Sequence, residues 1–96
     1  MKVKNGILKG ELKVRNGKLV RCFIELKKEK IKKIKISGDF FMHPEEKIEE
    51  IEKNLKGVEF QEGEIRKKLI ETLKNVQLIG IDIEDFVKVI MNSKPS

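Results

Sequence analysis

Apolar and polar residues alternate along the first third of the chain, which is the pattern of strands that bury one face. The segment from about Ile7 to Arg15 places four residues on a common face: Leu8, Gly10, Leu12 and Val14. The segment Lys18 to Lys27 has an apolar face made of Val20, Cys22, Ile24 and Leu26, and an opposite face made of Leu19, Arg21, Phe23 and Glu25. A third strand is predicted over Lys30 to Ser37, where Ile34 and Ile36 share a face.

The dipeptide Asn16-Gly17 lies between the first two strand segments. Both central residues of a type I′ turn need positive φ, which Asn and Gly tolerate, so Arg15-Asn16-Gly17-Lys18 predicts a tight hairpin. A turn near Lys28-Glu29 leads into the third segment. Together the segments predict a three-stranded antiparallel meander with one apolar face and one strongly basic face.

The period of the pattern changes to that of helices after Gly38-Asp39. His43-Pro44-Glu45-Glu46 is typical of a helix start, with Pro at the first helical position and acidic residues in the first turn. The apolar stripe of this first helix consists of Ile48, Ile51 and Leu55. Gly57 then provides the usual stop.

Two further helices complete the pattern. One follows Gly63, with Ile65, Leu69, Ile70 and Leu73 at helical spacing. The other starts at Asp82, where Asp85 completes a capping box, and buries Phe86, Val87 and Ile90. We expect the tail from Asn92 to Ser96 to be frayed. The predicted fold is α+β, a two-layer sandwich in which a three-stranded antiparallel meander precedes about three helices, with residues 1–96 as one domain and its core at about 7–91.

The charge of +6 is unevenly distributed along the 96 residues. Residues 1–37 hold 13 Lys and Arg and 3 acidic residues, which gives a net charge of +10. Residues 38–96 hold 9 Lys and Arg and 13 acidic residues, which gives a net charge of −4. Charged residues make up 40% of the chain, a share typical of proteins from hot environments. No apolar stretch is long enough for a membrane span or a signal peptide, and the single Cys22 fits a reducing compartment, so we expect a cytoplasmic protein.

The candidate chemistry is sparse. His43 and Cys22 are the only residues of their types, which excludes a zinc site of the usual spacing, and Cys22 is expected to be a buried structural thiol. No glycine-rich stretch opens a helix as a phosphate loop does. We therefore expect no catalytic residue, no bound metal and no enzyme activity in this chain alone.

The basic face of the sheet is the feature that indicates a binding function. It carries Lys9, Lys13, Arg15, Arg21, Lys33 and Lys35, with Leu19, Phe23 and Ile31 exposed among them. Basic residues around an aromatic suit single-stranded nucleic acid, but one Phe is a poor stacking platform. An apolar centre with a charged rim fits a protein interface better, so nucleic acid is the less favoured partner. The adjacent Phe40 and Phe41 predict a corner that is folded into the core or packed against a partner.

These residues carry a family resemblance. Lys13-x-x-x-Gly17-Lys18-Leu19-Val20-Arg21, Ile36-Ser37-Gly38-Asp39-Phe40-Phe41 with Pro44-Glu45, and Leu55-Lys56-Gly57 resemble the C-terminal accessory domain of lipoate–protein ligases. The resemblance covers about Lys13 to Ile90. It implies a small α+β sandwich like that of sulfur-acceptor and iron–sulfur scaffold proteins. The chain departs from the family in the loop Arg15-Asn16-Gly17, which lacks an expected proline or second glycine.

The resemblance also implies a function. In that family the large domain binds lipoate and ATP and holds the catalytic lysine, while the accessory domain is needed to activate lipoate to lipoyl-adenylate. Because the chain has its own Met1 and contains no large-domain sequence, we expect a separate non-catalytic small subunit that forms a heterodimer with the large subunit and meets the lipoyl-carrier protein indirectly. Lipoate, ATP and Mg are then expected only in the complex. The alternatives are a nucleic-acid-binding accessory domain and a sulfur-transfer or scaffold protein of similar fold.

The resemblance suggests site residues as well. Lys18 or Lys13 is the candidate for assisting adenylation at the triphosphate, and Asp39 is the candidate for fixing the corner. The predicted partner interface consists of Leu19, Arg21, Phe23, Gly38, Asp39, Phe40 and Phe41.

Overall fold

A four-stranded sheet and a separate two-stranded sheet organise the fold in a computed structural model that describes residues 6–14 and 18–95. The elements in chain order are β1 (Gly6–Lys13), β2 (Leu19–Lys27), β3 (Lys30–Gly38), β4 (Phe41–His43), α1 (Lys47–Asn54), α2 (Glu62–Thr72), β5 (Gln77–Ile79), α3 (Ile83–Met91) and β6 (Lys94–Pro95). The larger sheet has the order β3-β2-β1-β6, and β4 pairs with β5. The predicted α+β sandwich is confirmed.

The predicted meander is also confirmed. Strands β1 and β2 are antiparallel with Lys13 opposite Leu19, and the Val14 amide donates to the Lys18 carbonyl at 2.8 Å. Strand β3 continues the ladder on the other side of β2. The type I′ turn predicted at Asn16-Gly17 lies outside the described residues.

The assignment of Ile31 to the basic face was wrong. The β2–β3 register pairs Glu25 with Lys33 but Leu26 with Ile31, so one extra residue of β3 forms a bulge. Side chains alternate with a period of two, and a bulge therefore moves every residue beyond it to the other face. Ile31 is consequently a core residue with 1% of its surface exposed.

The helix start at Pro44 was wrong too. The chain forms β4 up to His43, which lies opposite Gln77 of β5, and the His43–Pro44 peptide bond is cis. Helix α1 begins at Lys47 because the preceding residues are held by the strand pair and by a turn. Its stop was placed correctly, since Gly57 follows the helix with φ +83°.

The third helix follows its prediction closely. The Asp82 side chain accepts from the Asp85 amide, the Asp85 side chain accepts from the Asp82 amide, and Phe86, Val87 and Ile90 are buried. In α2, however, Ile70 is 52% exposed, and Gly63 lies inside the helix.

The tail was predicted to fray but forms β6, in which Pro95 and Lys94 lie opposite Leu8 and Lys9. It pairs there because the adjacent edge of β1 would otherwise leave backbone groups without partners.

The helices cover one face of the larger sheet. Helix α3 crosses β1 so closely that a Cβ on Gly10 would overlap Ser93 Oγ and lie 2.5 Å from the Val89 carbonyl oxygen. Helix α1 lies along β3, the edge strand, where the Ile36 amide donates to Glu52 Oε2 at 3.0 Å. No helix of the described residues is long and apolar enough to cross a membrane.

Candidate functional site

Several predicted site residues meet at one end of the larger sheet, where β2 begins, β3 ends and β4 pairs with β5. The Asp39 amide donates to the Leu19 carbonyl at 2.8 Å, which ties the start of β2 to the corner after β3. Gly38 has φ +157°, and a Cβ there would clash with the Leu19 carbonyl oxygen. Only glycine allows this close approach.

Lys18 completes this end of the sheet. Its ammonium nitrogen lies 6.0 Å from the centroid of the Phe41 ring, which is within reach of a cation–π attraction. A Cβ on Gly80 would lie 2.9 Å from that nitrogen and 3.1 Å from Lys18 Cδ, so the side chain passes directly over the Gly80 backbone. Lys18 is therefore held against the protein rather than extended into water.

The exposed apolar residues at this end are adjacent. Phe41 is 64% exposed and lies opposite Ile79, which is 47% exposed. We name Lys18, Leu19, Asp39, Phe41 and Ile79 the end patch. Beside it, Phe41 and Ile48 line a groove of about 480 Å³ that also contains Glu45, Glu46 and Glu49. Apolar rings beside charged residues are typical of a protein contact.

The two phenylalanines of the corner have different places. Phe40 is 8% exposed, and its ring meets Phe86 of α3 edge to face at a centroid distance of 5.4 Å. Phe40 thus belongs to the core and not to the surface predicted for the partner. Successive residues of an extended segment point in opposite directions, so Phe41 faces solvent.

The remaining predicted residues lie on a second surface, the side of the larger sheet that the helices do not cover. We name this surface the outer face. It consists of Ile7, Lys9, Glu11, Lys13, Leu19, Arg21, Phe23, Glu25, Lys33, Lys35 and Ser37. Arg15, which the sequence assigned to this face, lies outside the described residues. Lys13 points away on this face, whereas Lys18 packs over Gly80 and Phe41, so the structure does not bring the two lysines together. Leu19 belongs to both surfaces and marks where they meet.

Sequence reasoning missed Ile79 and Gly80. Their segment, Val76-Gln77-Leu78-Ile79-Gly80, is an apolar run that ends in glycine, which is a signal for a short strand. Among the described residues, no group of three or more His, Cys, Asp and Glu is placed to hold a metal ion.

Cys22 is a buried thiol on the helix-covered side of β2. Its Sγ lies 2.9 Å from Ser93 Oγ and 3.5 Å from the Val89 carbonyl oxygen. Burial raises the pKa of the Cys22 thiol above its ordinary value, although the hydrogen bond between Cys22 and Ser93 works in the opposite direction. A raised pKa keeps the thiolate, which is the reactive form, scarce at neutral pH.

We therefore expect Cys22 to react at least about a hundredfold more slowly with a disulfide reagent in the native protein than in 6 M guanidinium chloride. Absorbance of the released thiolate measures both rates at one pH. Equal rates would mean that Cys22 is accessible and would revive the sulfur-transfer alternative.

Comparison with known proteins identifies the family. Residues 1–90 match the family of the bacterial lipoate protein ligase C-terminus. The chain belongs to this family. It is 36% identical over 72 residues to lipoate-protein ligase A subunit 2 of Thermoplasma acidophilum, an alignment that covers 73% of each protein. The resemblance drawn from Gly38-Asp39-Phe40-Phe41 is thus confirmed.

The fold of this lipoate protein ligase domain is also found in a solved structure. It matches a chain in the structure of an archaeal bipartite lipoate protein ligase and its E2 lipoyl domain, from Thermoplasma acidophilum, with a TM-score of 0.81 and 30% identity. The match covers 90% of this chain and 96% of that chain. The family match and the structural match therefore point to the same kind of domain.

Proposed function

We propose that this chain is the small, non-catalytic subunit of a two-part lipoate–protein ligase and that it helps a large subunit to activate lipoate. The observation that carries the proposal is the match to the archaeal bipartite ligase, which spans 96% of the matched chain. In the activation step a carboxylate oxygen of lipoate attacks the α-phosphorus of ATP. The bond to the β-phosphate oxygen breaks, and lipoyl-adenylate and pyrophosphate form.

The end patch supplies the contact with the large subunit. Phe41 and Ile79 expose adjacent apolar surface that a partner would remove from water, at a gain of roughly 25 cal/mol for each Å². Exposed apolar pairs of this kind form the centre of many subunit contacts. In this arrangement lipoate, ATP and any Mg bind to the large subunit, and this chain closes over them.

Lys18 has the chemistry to assist at the triphosphate. Negative charge develops on the departing pyrophosphate, and a cation that is already in position stabilises it without reorganisation. The contacts with Gly80 and Phe41 keep the Lys18 ammonium group at the end patch, beside the residues that meet the large subunit. Asp39 acts indirectly, because its amide fixes the corner from which Phe41 projects.

The test is pyrophosphate release from ATP and lipoate by the large subunit alone, by this chain alone and by their mixture. We expect turnover only from the mixture, and we expect calorimetry to detect no ATP binding to the isolated chain. Turnover by this chain alone would overturn the accessory role. Full turnover by the large subunit alone would show that this chain is not needed to activate lipoate.

The same assay tests Lys18. Lys18→Ala should lower the rate of pyrophosphate release by about a hundredfold, the lower end of the range for a lost electrostatic contact to the transition state. Lys13→Ala is the matched control, because it removes the same charge from the outer face, and it should stay within about twofold of the wild type. Equal losses in both variants would assign the effect to overall charge.

A further inference from the structure

The outer face is an uncovered sheet surface with an organised charge pattern. Three cross-strand rows run across it: Ile7–Glu25–Lys33, Lys9–Phe23–Lys35 and Glu11–Arg21–Ser37. In the middle row, half-buried Phe23 is flanked on both sides by an exposed lysine. A shallow depression of about 340 Å³ lies over this part of the sheet, lined by Phe23, Lys9, Lys35, Arg21, Glu11 and Ser37 together with Gly10 and Cys22.

The face carries positive charge that the described residues do not neutralise. Its two carboxylates are engaged: Glu11 lies 3.4 Å from Arg21, and Glu25 lies 3.4 Å from Lys32. Lys35 lies 3.7 Å from Glu52 of α1, whereas Lys9, Lys13 and Lys33 have no ionic partner within the ranges that the structure describes. The surplus favours a partner that presents acidic groups.

We propose that the outer face is a reversible docking surface for an acidic side of the carrier-protein domain whose lysine the ligase modifies. This inference rests on the proposed function and adds a second contact to it. It assigns the end patch to the large subunit and the outer face to the protein substrate.

The chemistry of the two surfaces supports this division. A subunit contact persists and gains from apolar area, which the end patch offers through Phe41 and Ile79. A modified carrier must leave after each turnover, and contacts rich in charge with little apolar area suit brief encounters that form rapidly. The outer face has that composition, with Phe23 as its one aromatic ring among seven charged residues on three strands.

The position of the outer face also supports docking of the carrier there. Leu19 is common to both surfaces, so the outer face begins where the end patch stops. A carrier bound on the outer face would lie next to the site that this chain and the large subunit form together. Its lysine would then need to travel only a short distance to the adenylate.

A nucleic acid fits the face less well. Glu11 and Glu25 occupy two of the three cross-strand rows, and they interrupt the continuous line of cations that a row of phosphates would need. Stacking of unpaired bases uses aromatic platforms, and Phe23 is a single ring.

The experiment uses the reconstituted two-subunit ligase, preformed lipoyl-adenylate and the purified lipoyl-carrier domain of the same organism. Lys9→Glu with Lys35→Glu reverses both charges beside Phe23. We expect the KM for the carrier to rise by about tenfold, since like charges then face each other across the contact. The wild-type KM should also rise with ionic strength, and it should rise less steeply in the variant.

The matched control is Lys67→Glu with Lys74→Glu, which makes the same charge change on and after α2, among the helices. It should leave the KM for the carrier within about twofold of the wild type. Lys9→Ala with Lys35→Ala is a milder pair that should raise the KM by a smaller factor in the same direction. Thermal unfolding confirms that each variant is folded.

Three results would overturn the inference. One is an unchanged KM for the carrier in the charge-reversal variant. Another is loss of the complex with the large subunit, which would place the outer face in the subunit contact. The third is retention on single-stranded RNA that the variant abolishes while the carrier KM stays constant. Pyrophosphate release without carrier is measured in parallel, and its independence of this chain would instead refute the proposed function.

Discussion

Omission of this chain from a reaction of large subunit, ATP, lipoate and saturating carrier should lower carrier modification by at least about a hundredfold, the scale of a misplaced reacting group. Preformed lipoyl-adenylate should restore carrier modification in the absence of this chain. Activation needs an ordered site around the triphosphate, and closure by a second subunit supplies that order. Transfer starts from an adenylate that already exists, so it depends less on the missing subunit. Mass spectrometry of the carrier measures both routes.

The two routes also distinguish the two roles assigned to this chain. Lys18→Ala should weaken only the route that starts from ATP, whereas charge reversal at Lys9 and Lys35 should raise the carrier KM in both. An equal loss of both routes at saturating carrier would contradict a role in activation. Efficient modification from ATP without this chain would leave it no role in the ligase.

Alanine substitutions at the neighbouring phenylalanines should have opposite consequences. Phe40→Ala removes a ring that packs edge to face on Phe86, and we expect it to lower the free energy of unfolding by about 3–5 kcal/mol. Phe41→Ala removes an exposed ring, so the free energy of unfolding should change by less than about 0.5 kcal/mol. The affinity for the large subunit should instead fall by about tenfold or more, as for a central interface aromatic.

Urea unfolding and calorimetric titration with the large subunit measure the two quantities. Ile70→Ala is the control for Phe41, since Ile70 is similarly exposed, at 52%, but lies on α2. It should change neither quantity. A Phe41→Ala variant with wild-type affinity would remove the end patch from the subunit contact, and a Phe40→Ala variant of wild-type stability would contradict its place in the core.

The long elements of the fold could be predicted because each repeats its signal several times. The meander rests on four or more alternating positions in each of its first two strands, and α3 has both an apolar face and a capping box. Strands β4, β5 and β6 contain three, three and two residues, which is too short for a period to emerge. The bulge that turned Ile31 inward depends on the pairing of β2 with β3, and no local pattern encodes it.

Four residues of the end patch were candidates from the sequence, whereas Ile79 and the grouping of the patch were not. Gly38, Asp39 and Phe41 stand out by their types and adjacency along the chain. Their proximity to Lys18 and Ile79 depends on β5, whose pairing with β4 brings distant segments together. Lys13 and Lys18 lie close in sequence, but Lys13 lies on the outer face, whereas Lys18 packs over Gly80 and Phe41.

The hydrogen bond from the Ile36 amide to Glu52 has a consequence for which assemblies the protein can form. Strand β3 is nine residues long and lies at the edge of the sheet, where another molecule could add a strand of its own. Glu52 occupies one of the backbone donors that such a strand would need, and Lys32, Lys33 and Lys35 would meet the same lysines of a second copy. Fibre-like growth through this edge is thereby discouraged.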